Sequence, residues 1–149
     1  MKNRLNKKVF LIQTDTTVGF LSQDGAMLAR LKERDESKPF VQVAASYKTL
    51  KRFVRIPKVH KIRVRRTSKT TYVYPNNLAI RIAKDERHAK FLKPFEWFYS
   101  TSANERSLSY CKEFAFAKSD IIVEDSKGLY EGEASRIIRL HKRKTERLR

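Results

Sequence analysis

With one cysteine, Cys111, the chain cannot form an internal disulfide, and that usage fits a reducing compartment. The three histidines, His60, His88 and His141, are scattered. They show no zinc-ligand spacing and no nucleophile–base pairing, so no metal site and no covalent intermediate are expected. No apolar run approaches the roughly 20 residues of a membrane span. Near the N-terminus KVFLI is too short for a signal-peptide core, and no small-residue cleavage site clearly follows it. These absences predict a cytoplasmic chain with no membrane partner. Internal repeats and low-complexity linkers are missing too. Acidic residues are scarce, 16 against 34 Lys and Arg, for a net charge of +18. Such an excess keeps a protein soluble and attracts polyanions, but it does not specify a fold.

What the chain does have is enough apolar content for one core. Hydrophobic residues make up 40% of 149, which predicts a single domain over 1–149. Lys8 to Gln13 reads as a buried strand, followed by an exposed hydroxyl-rich turn, TDTTVG. Ala26 to Glu33 has helical spacing through Met27, Leu28 and Leu31, with Asp24 or Gly25 at its start. Phe40 to Ala45 is the next strand. Ser46 caps a helix carrying Leu50, Phe53 and Val54, which Pro57 ends.

Lys61 to Arg66 alternates basic and apolar residues, with Ile62 and Val64 turned inward as in a strand. Thr70 to Tyr74 is strand-like, PNN at Pro75 to Asn77 is a turn, and Leu78 to Ile82 is a strand with Arg81 on its polar face. Asp85 caps a helix through Phe91. Trp97 to Tyr99 leads into a loop, STSAN. Ser107 or Ser109 caps a helix with Tyr110, Phe114 and Ala117 along one side. Asp120 to Val123 and Ile137 to Leu140 are late strands, and residues 142–149 form a basic, mobile tail. Strands mixed with short helices predict an α/β (α+β) domain, one sheet with helices packed on it.

Two pairs of residues carry the chemistry. Lys32 and Arg34, two apart in KERDESKPF, offer a point charge and a forked guanidinium, a combination suited to phosphate. Taken alone they read as a solvated cluster at a helix C-terminus, where cations are favoured. Ser102 and Asn104 in STSANERS offer a hydroxyl and a carboxamide. Taken alone they satisfy the backbone of a loop.

The order of these motifs resembles the YrdC-like family, the threonylcarbamoyl-adenylate synthases. The family's PTDTVYG, KxR with a following Pro, VRxP, SxN and PST signatures appear here in order. They are QTDTTVG (Gln13 to Gly19), KER with Pro39, AIRIA (Ala79 to Ala83), SAN (Ser102 to Asn104) and EASR (Glu133 to Arg136). The resemblance implies a YrdC/RibB-like fold, a twisted mixed sheet with packed helices and a concave basic face. It implies that Lys32 and Arg34 act in catalysis and hold the nucleotide with Ser102, Asn104, Arg81 and Ser135. Thr14 and Thr16 would line the threonine site, and Arg149 is a weaker match to a late nucleotide-covering arginine. The implied reaction joins L-threonine, bicarbonate and ATP with Mg into threonylcarbamoyl-AMP, a nucleotidyl transfer feeding tRNA modification. The tRNA threonylcarbamoyl-transferase machinery would be a partner.

Several positions depart from the family pattern. Val18 replaces the aromatic of VYG, Gln13 replaces its Pro, Glu105 follows SAN where the family has Ser-Gly, and the central GPLT-like segment is absent. In its place stands a cationic stretch. From Lys48 to Lys69 there are ten Lys or Arg residues and no acid. Such a run neutralises phosphates, so RNA, tRNA or double-stranded RNA included, is an expected partner through Arg63, Arg65 and Arg66. The alternative function is therefore a YrdC-like RNA-binding protein, ribosome-associated or otherwise, that makes no adenylate.

Overall fold

The computed structural model describes residues 2–149. Helix α1 is Lys2–Leu5; strands β1 and β2 are Phe10–Gln13 and Val18–Ser22; α2 is Gly25–Leu31. Strand β3 (Val41–Ala44) and helix α3 (Tyr47–Leu50) precede a 3-10 turn, Lys58–His60, that runs directly into α4 (Lys61–Arg66). Then come β4 (Thr70–Val73), β5 (Ala79–Ile82), α5 (Glu86–Leu92), β6 (Trp97–Ser102) and α6 (Lys112–Lys118). The last strands are β7 (Ile121–Val123), β8 (Arg136–Leu140) and β9 (Thr145–Arg147). The nine strands form one sheet in the order β7-β1-β2-β6-β3-β5-β4-β8-β9. The sheet is mixed: β1/β7, β3/β5 and β4/β8 pair parallel, and the remaining neighbours pair antiparallel.

Alternation along the strands sorts the core into three clusters. Leu11, Val18 and Phe20 pack with Leu28 and Ala29 of α2 and Ala115 of α6. Leu50, Val64, Tyr72, Ile80 and Leu140 form a second cluster under α3 and α4. Phe10, Leu21, Val43 and Phe98 pack with Leu92 of α5 in the third. In register, Val43 faces Arg81 across β3 and β5, so Arg81 points to the side that α5 covers.

The caps expected at Asp24, Ser46 and Asp85 are present: each side chain accepts a backbone N–H three residues on. Several expectations are corrected. Lys61–Arg66 is a helix, with Val64 buried and Ile62 65% exposed. Helix α3 stops at Leu50, well short of Pro57. Strand β6 runs through the small polar residues to Ser102, because β2 and β3 flank it on both sides. Helix α6 starts at Lys112 behind Cys111, without a side-chain cap, and buries Ala115 while Ala117 is exposed. The basic tail is no loose extension. It makes β9, which pairs with β8, and Ile137 N–H donates to Arg149 C=O at 2.9 Å.

Candidate functional site

The turn after β1 is built by its own hydroxyls. Thr14 Oγ1 donates to the Thr17 carbonyl at 2.6 Å and accepts the Thr16 N–H at 3.2 Å. Across this turn lies the segment leading to Ser135. Val18 N–H donates to Tyr130 C=O, and Gly132 N–H donates to Thr17 Oγ1 at 2.9 Å. The approach requires glycine: a Cβ on Gly132 would come within 2.1 Å of the Thr16 carbonyl oxygen.

Between these segments and the ends of β3 and β6 lies a cavity of about 290 Å³. Seven hydroxyl residues line it: Thr14, Thr16, Thr17, Ser100, Thr101, Ser102 and Ser135. Three arginines, Arg34, Arg81 and Arg149, also line it, and no aspartate or glutamate does. Arg34 is held with its guanidinium 4.4 Å over the Phe40 ring and donates to Pro39 C=O at 3.1 Å. Pro39 thus fixes the arginine as well as leading into β3. Arg149 reaches back from beyond β9, donating to the Ser135 carbonyl at 3.0 Å and to its hydroxyl at 3.3 Å.

Beneath the cavity runs a buried polar chain. Arg81 Nε lies 3.1 and 3.2 Å from the two Asp15 carboxylate oxygens, with both side chains almost wholly buried. Arg81 also donates to Thr71 Oγ1 at 3.3 Å, and Thr71 shares a 2.8 Å hydrogen bond with Ser135. On the far side His88 Nδ1 stands 3.2 Å from the Asp15 N–H and 3.4 Å from Oδ1. A neutral ring accepts from the former; a protonated one donates to the latter. Burial opposes the Asp15 charge, but His88 and Arg81 outweigh it and hold the carboxyl below its ordinary range. Burial acts on Arg81 in the opposite sense to Asp15: it lowers the guanidinium's proton affinity, as Arg149 does, while Asp15 raises it.

Arg81, read on the polar face of its strand and by the resemblance on the nucleotide, is a buried, paired residue that also lines the cavity. Asp15 entered the sequence reading only within the QTDTTVG match, and its pairing with Arg81 was not anticipated. The signal was its position: an acid directly after a buried strand, with an arginine alternating out of another.

The separated pairs Lys32/Arg34 and Ser102/Asn104 do meet, with a division of labour. Lys32 does not line the cavity. Its Nζ donates to Ser102 C=O at 2.9 Å, Asn104 C=O at 2.5 Å and Asn104 Oδ1 at 3.1 Å. Ser102 Oγ donates to Asn104 Oδ1 at 2.5 Å, and Asn104 Nδ2 donates to Leu108 C=O at 2.7 Å. The carboxamide is thus spent on its own loop. Burial, and then the neighbouring Arg34 charge, hold the Lys32 ammonium below its ordinary value. Lys32→Ala should cost about 1.5 kcal/mol, the low end for charged hydrogen bonds because the site is half exposed. Urea unfolding measures the loss, and amide hydrogen exchange should quicken at residues 102–104 while α5 stays protected.

Arg63, Arg65 and Arg66 lie on α4, away from the cavity lining. Arg65 is stacked over Tyr47 at 4.6 Å. Among the described residues no group of three His, Cys, Asp or Glu is arranged to hold a metal ion. No helix among them is long and apolar enough to cross a membrane.

No protein-family model matches the sequence, and no curated protein matches it significantly. Solved structures do match. A variant of P. abyssi Sua5 superposes with a TM-score of 0.82 at 18% identity, over 96% of this chain and 49% of that one. The same Sua5 has been solved with L-threonine. E. coli YciO gives 0.75 at 14% identity, over 100% of this chain and 89% of that one. Full-length HypF, in a phosphate- and nucleotide-bound form, gives 0.73 at 15% identity, over 99% of this chain and 28% of its own. The chain thus spans about half the length of Sua5 and most of YciO. The mixed sheet with its flanking helices is the YrdC-like fold.

Proposed function

We propose that the cavity binds ATP and L-threonine and makes threonylcarbamoyl-AMP. One observation carries the reading: three arginines and seven hydroxyl residues line one small cavity that no aspartate or glutamate lines. Such a lining suits an anion and repels none. About 290 Å³ lies just below the usual ~300–1,000 Å³ of ligand sites, so it suits the reacting phosphates and the small amino acid better than a whole nucleotide.

Threonine's amine and bicarbonate give a carbamate and water. A carbamate oxygen then attacks the α-phosphorus, the bond to the β-phosphate oxygen breaks, and pyrophosphate leaves with the electron pair. Arg34 and Arg149 face the cavity from opposite ends of the sequence and would neutralise the phosphates. Arg81 contributes what its pairing with Asp15 leaves free. Mg would enter with ATP as part of the substrate, since the lining offers it no aspartate or glutamate. The protein forms no covalent bond; it positions reactants and stabilises charge.

Pyrophosphate release tests this. It is expected only when ATP, L-threonine and bicarbonate are all present. Release without threonine would overturn the reading in favour of nucleotidyl transfer to another acceptor, and none with all three in favour of a YrdC-like fold that carries no adenylate chemistry.

A further inference from the structure

Arg55, Lys58 and Lys61, ahead of and within the 3-10/α4 stretch, line a second groove of about 540 Å³ together with Lys142 and Arg143 from the β8–β9 turn. No carboxylate lines it, and no residue lines both this groove and the arginine cavity. The groove is built. Buried Ile56 and the ring of Pro57 line it, and His60 ties its two segments together through a 2.8 Å hydrogen bond from Nε2 to the His141 carbonyl. A carbonyl only accepts, so Nε2 carries the ring proton. The nearby acid Glu146 is taken up by His141 at 3.0 Å.

None of the five cations takes part in an ion pair among the described residues. Five like charges spread along one concavity repel one another, and no ion pair among the described residues offsets that repulsion. Val59 in the groove and Ile62 beside it are 62% and 65% exposed, the most exposed large apolar side chains described.

We infer that this groove docks a nucleic-acid strand by its phosphodiester backbone. A strand carries repeated charge that can follow both basic segments, whereas a single phosphate is better held by convergent donors. A bilayer is flat and cannot enter a concave lining, and two exposed aliphatic residues make a small insertion surface. Laid beside a strand, those two side chains cover sugar or base faces. None of the five cations is one of the three arginines Arg63, Arg65 and Arg66: those do not line the groove, and Arg65 is engaged by Tyr47. The inference is independent of adenylate synthesis.

The test is fluorescence anisotropy of a labelled single-stranded RNA, and of DNA of the same sequence, across a salt series. The full chain is compared with Lys58→Ala/Lys61→Ala/Arg143→Ala and with a control of equal charge loss, Lys90→Ala/Lys112→Ala/Lys118→Ala. The groove variant is expected to flatten the slope of log affinity against log salt by about two to three units, one phosphate per cation, and the control by less than one. ATP binding is expected to stay unchanged in the groove variant, and circular dichroism melting checks its fold; Arg143→Glu alone serves if the triple variant does not fold. The tighter of the two probes names the natural source of the backbone. Equal flattening in both triple variants would make the charge diffuse and overturn the inference. So would an unchanged slope in the groove variant, or binding to phosphatidylserine vesicles in place of both strands.

Discussion

Replacing Asp15 by alanine is expected to lower the stability of the fold by about 3–5 kcal/mol, because it strands the buried Arg81 guanidinium without a partner. Domains of this size have about 5–15 kcal/mol to lose, so the variant is left marginal. Urea unfolding reads the effect as a drop in midpoint at unchanged slope. The double replacement Asp15→Leu/Arg81→Met is expected to recover much of the loss, since it removes both charges from the interior. A cost below about 1 kcal/mol for the single variant would mean that the cavity solvates Arg81 and the pair has no structural role.

Acid supplies the same test without mutation. The folded Asp15 carboxyl titrates below its ordinary 3.8, so the unfolded chain takes up the proton first. Its contribution is complete above that value and drains away as pH falls through the lower folded value. Wild type is therefore expected to lose stability over that acid range more steeply than Asp15→Asn, which has no such carboxyl to protonate.

Removing Arg34 or Arg149 is expected to weaken ATP and pyrophosphate binding about ten- to a hundredfold each, the worth of a charge-assisted hydrogen bond of about 1.5–3 kcal/mol. Neither change should threaten the fold. Arg34 is only half buried and Arg149 is exposed. The pair shares one ligand, so the double variant should show less than the sum of the two losses. Isothermal titration with Mg-ATP and with pyrophosphate reads both directly. Unchanged affinity in Arg34→Ala and Arg149→Ala alike would remove the cavity from consideration as a phosphate site.

The strands were legible wherever apolar residues alternate, as in Leu78, Ile80 and Ile82 with Arg81 opposed, although burial of Arg81 on the other face was not legible. The mixed sheet and the meeting of Lys32 with Ser102 and Asn104 were legible only through the order of the motifs. Lys61–Arg66 misled because its apolar residues stand two apart, a strand's spacing, whereas on a helix such a pair falls on nearly opposite faces. The answer came from packing: Val64 enters the cluster of Leu50 and Tyr72, and Ile62 has nothing to enter. The tail misled for a different reason. Composition registers Lys142 to Arg149 as solvated charge, but it cannot register that the tail's backbone has an open edge of β8 to pair with. The Asp15–Arg81 pairing was signalled only by an acid after one buried strand and an arginine in another, with nothing local to join them across 66 residues.

The cavity draws on residues from Thr14 to Arg149, and its strands join by pairings of great sequence separation. Val9 at the foot of β1 reaches Asp120 before β7 across 111 residues, and β4 waits for β8. Non-local parallel pairing must pay loop-closure entropy before it is rewarded, which puts such chains toward the slow end of the millisecond-to-second range. The cavity is then a product of late folding and cannot nucleate it. Until β8 docks, β4 presents an open edge bearing Tyr72 and Val73. That interval is when the chain is most exposed to intermolecular strand addition, and there a chaperone or an early ligand would most change its yield.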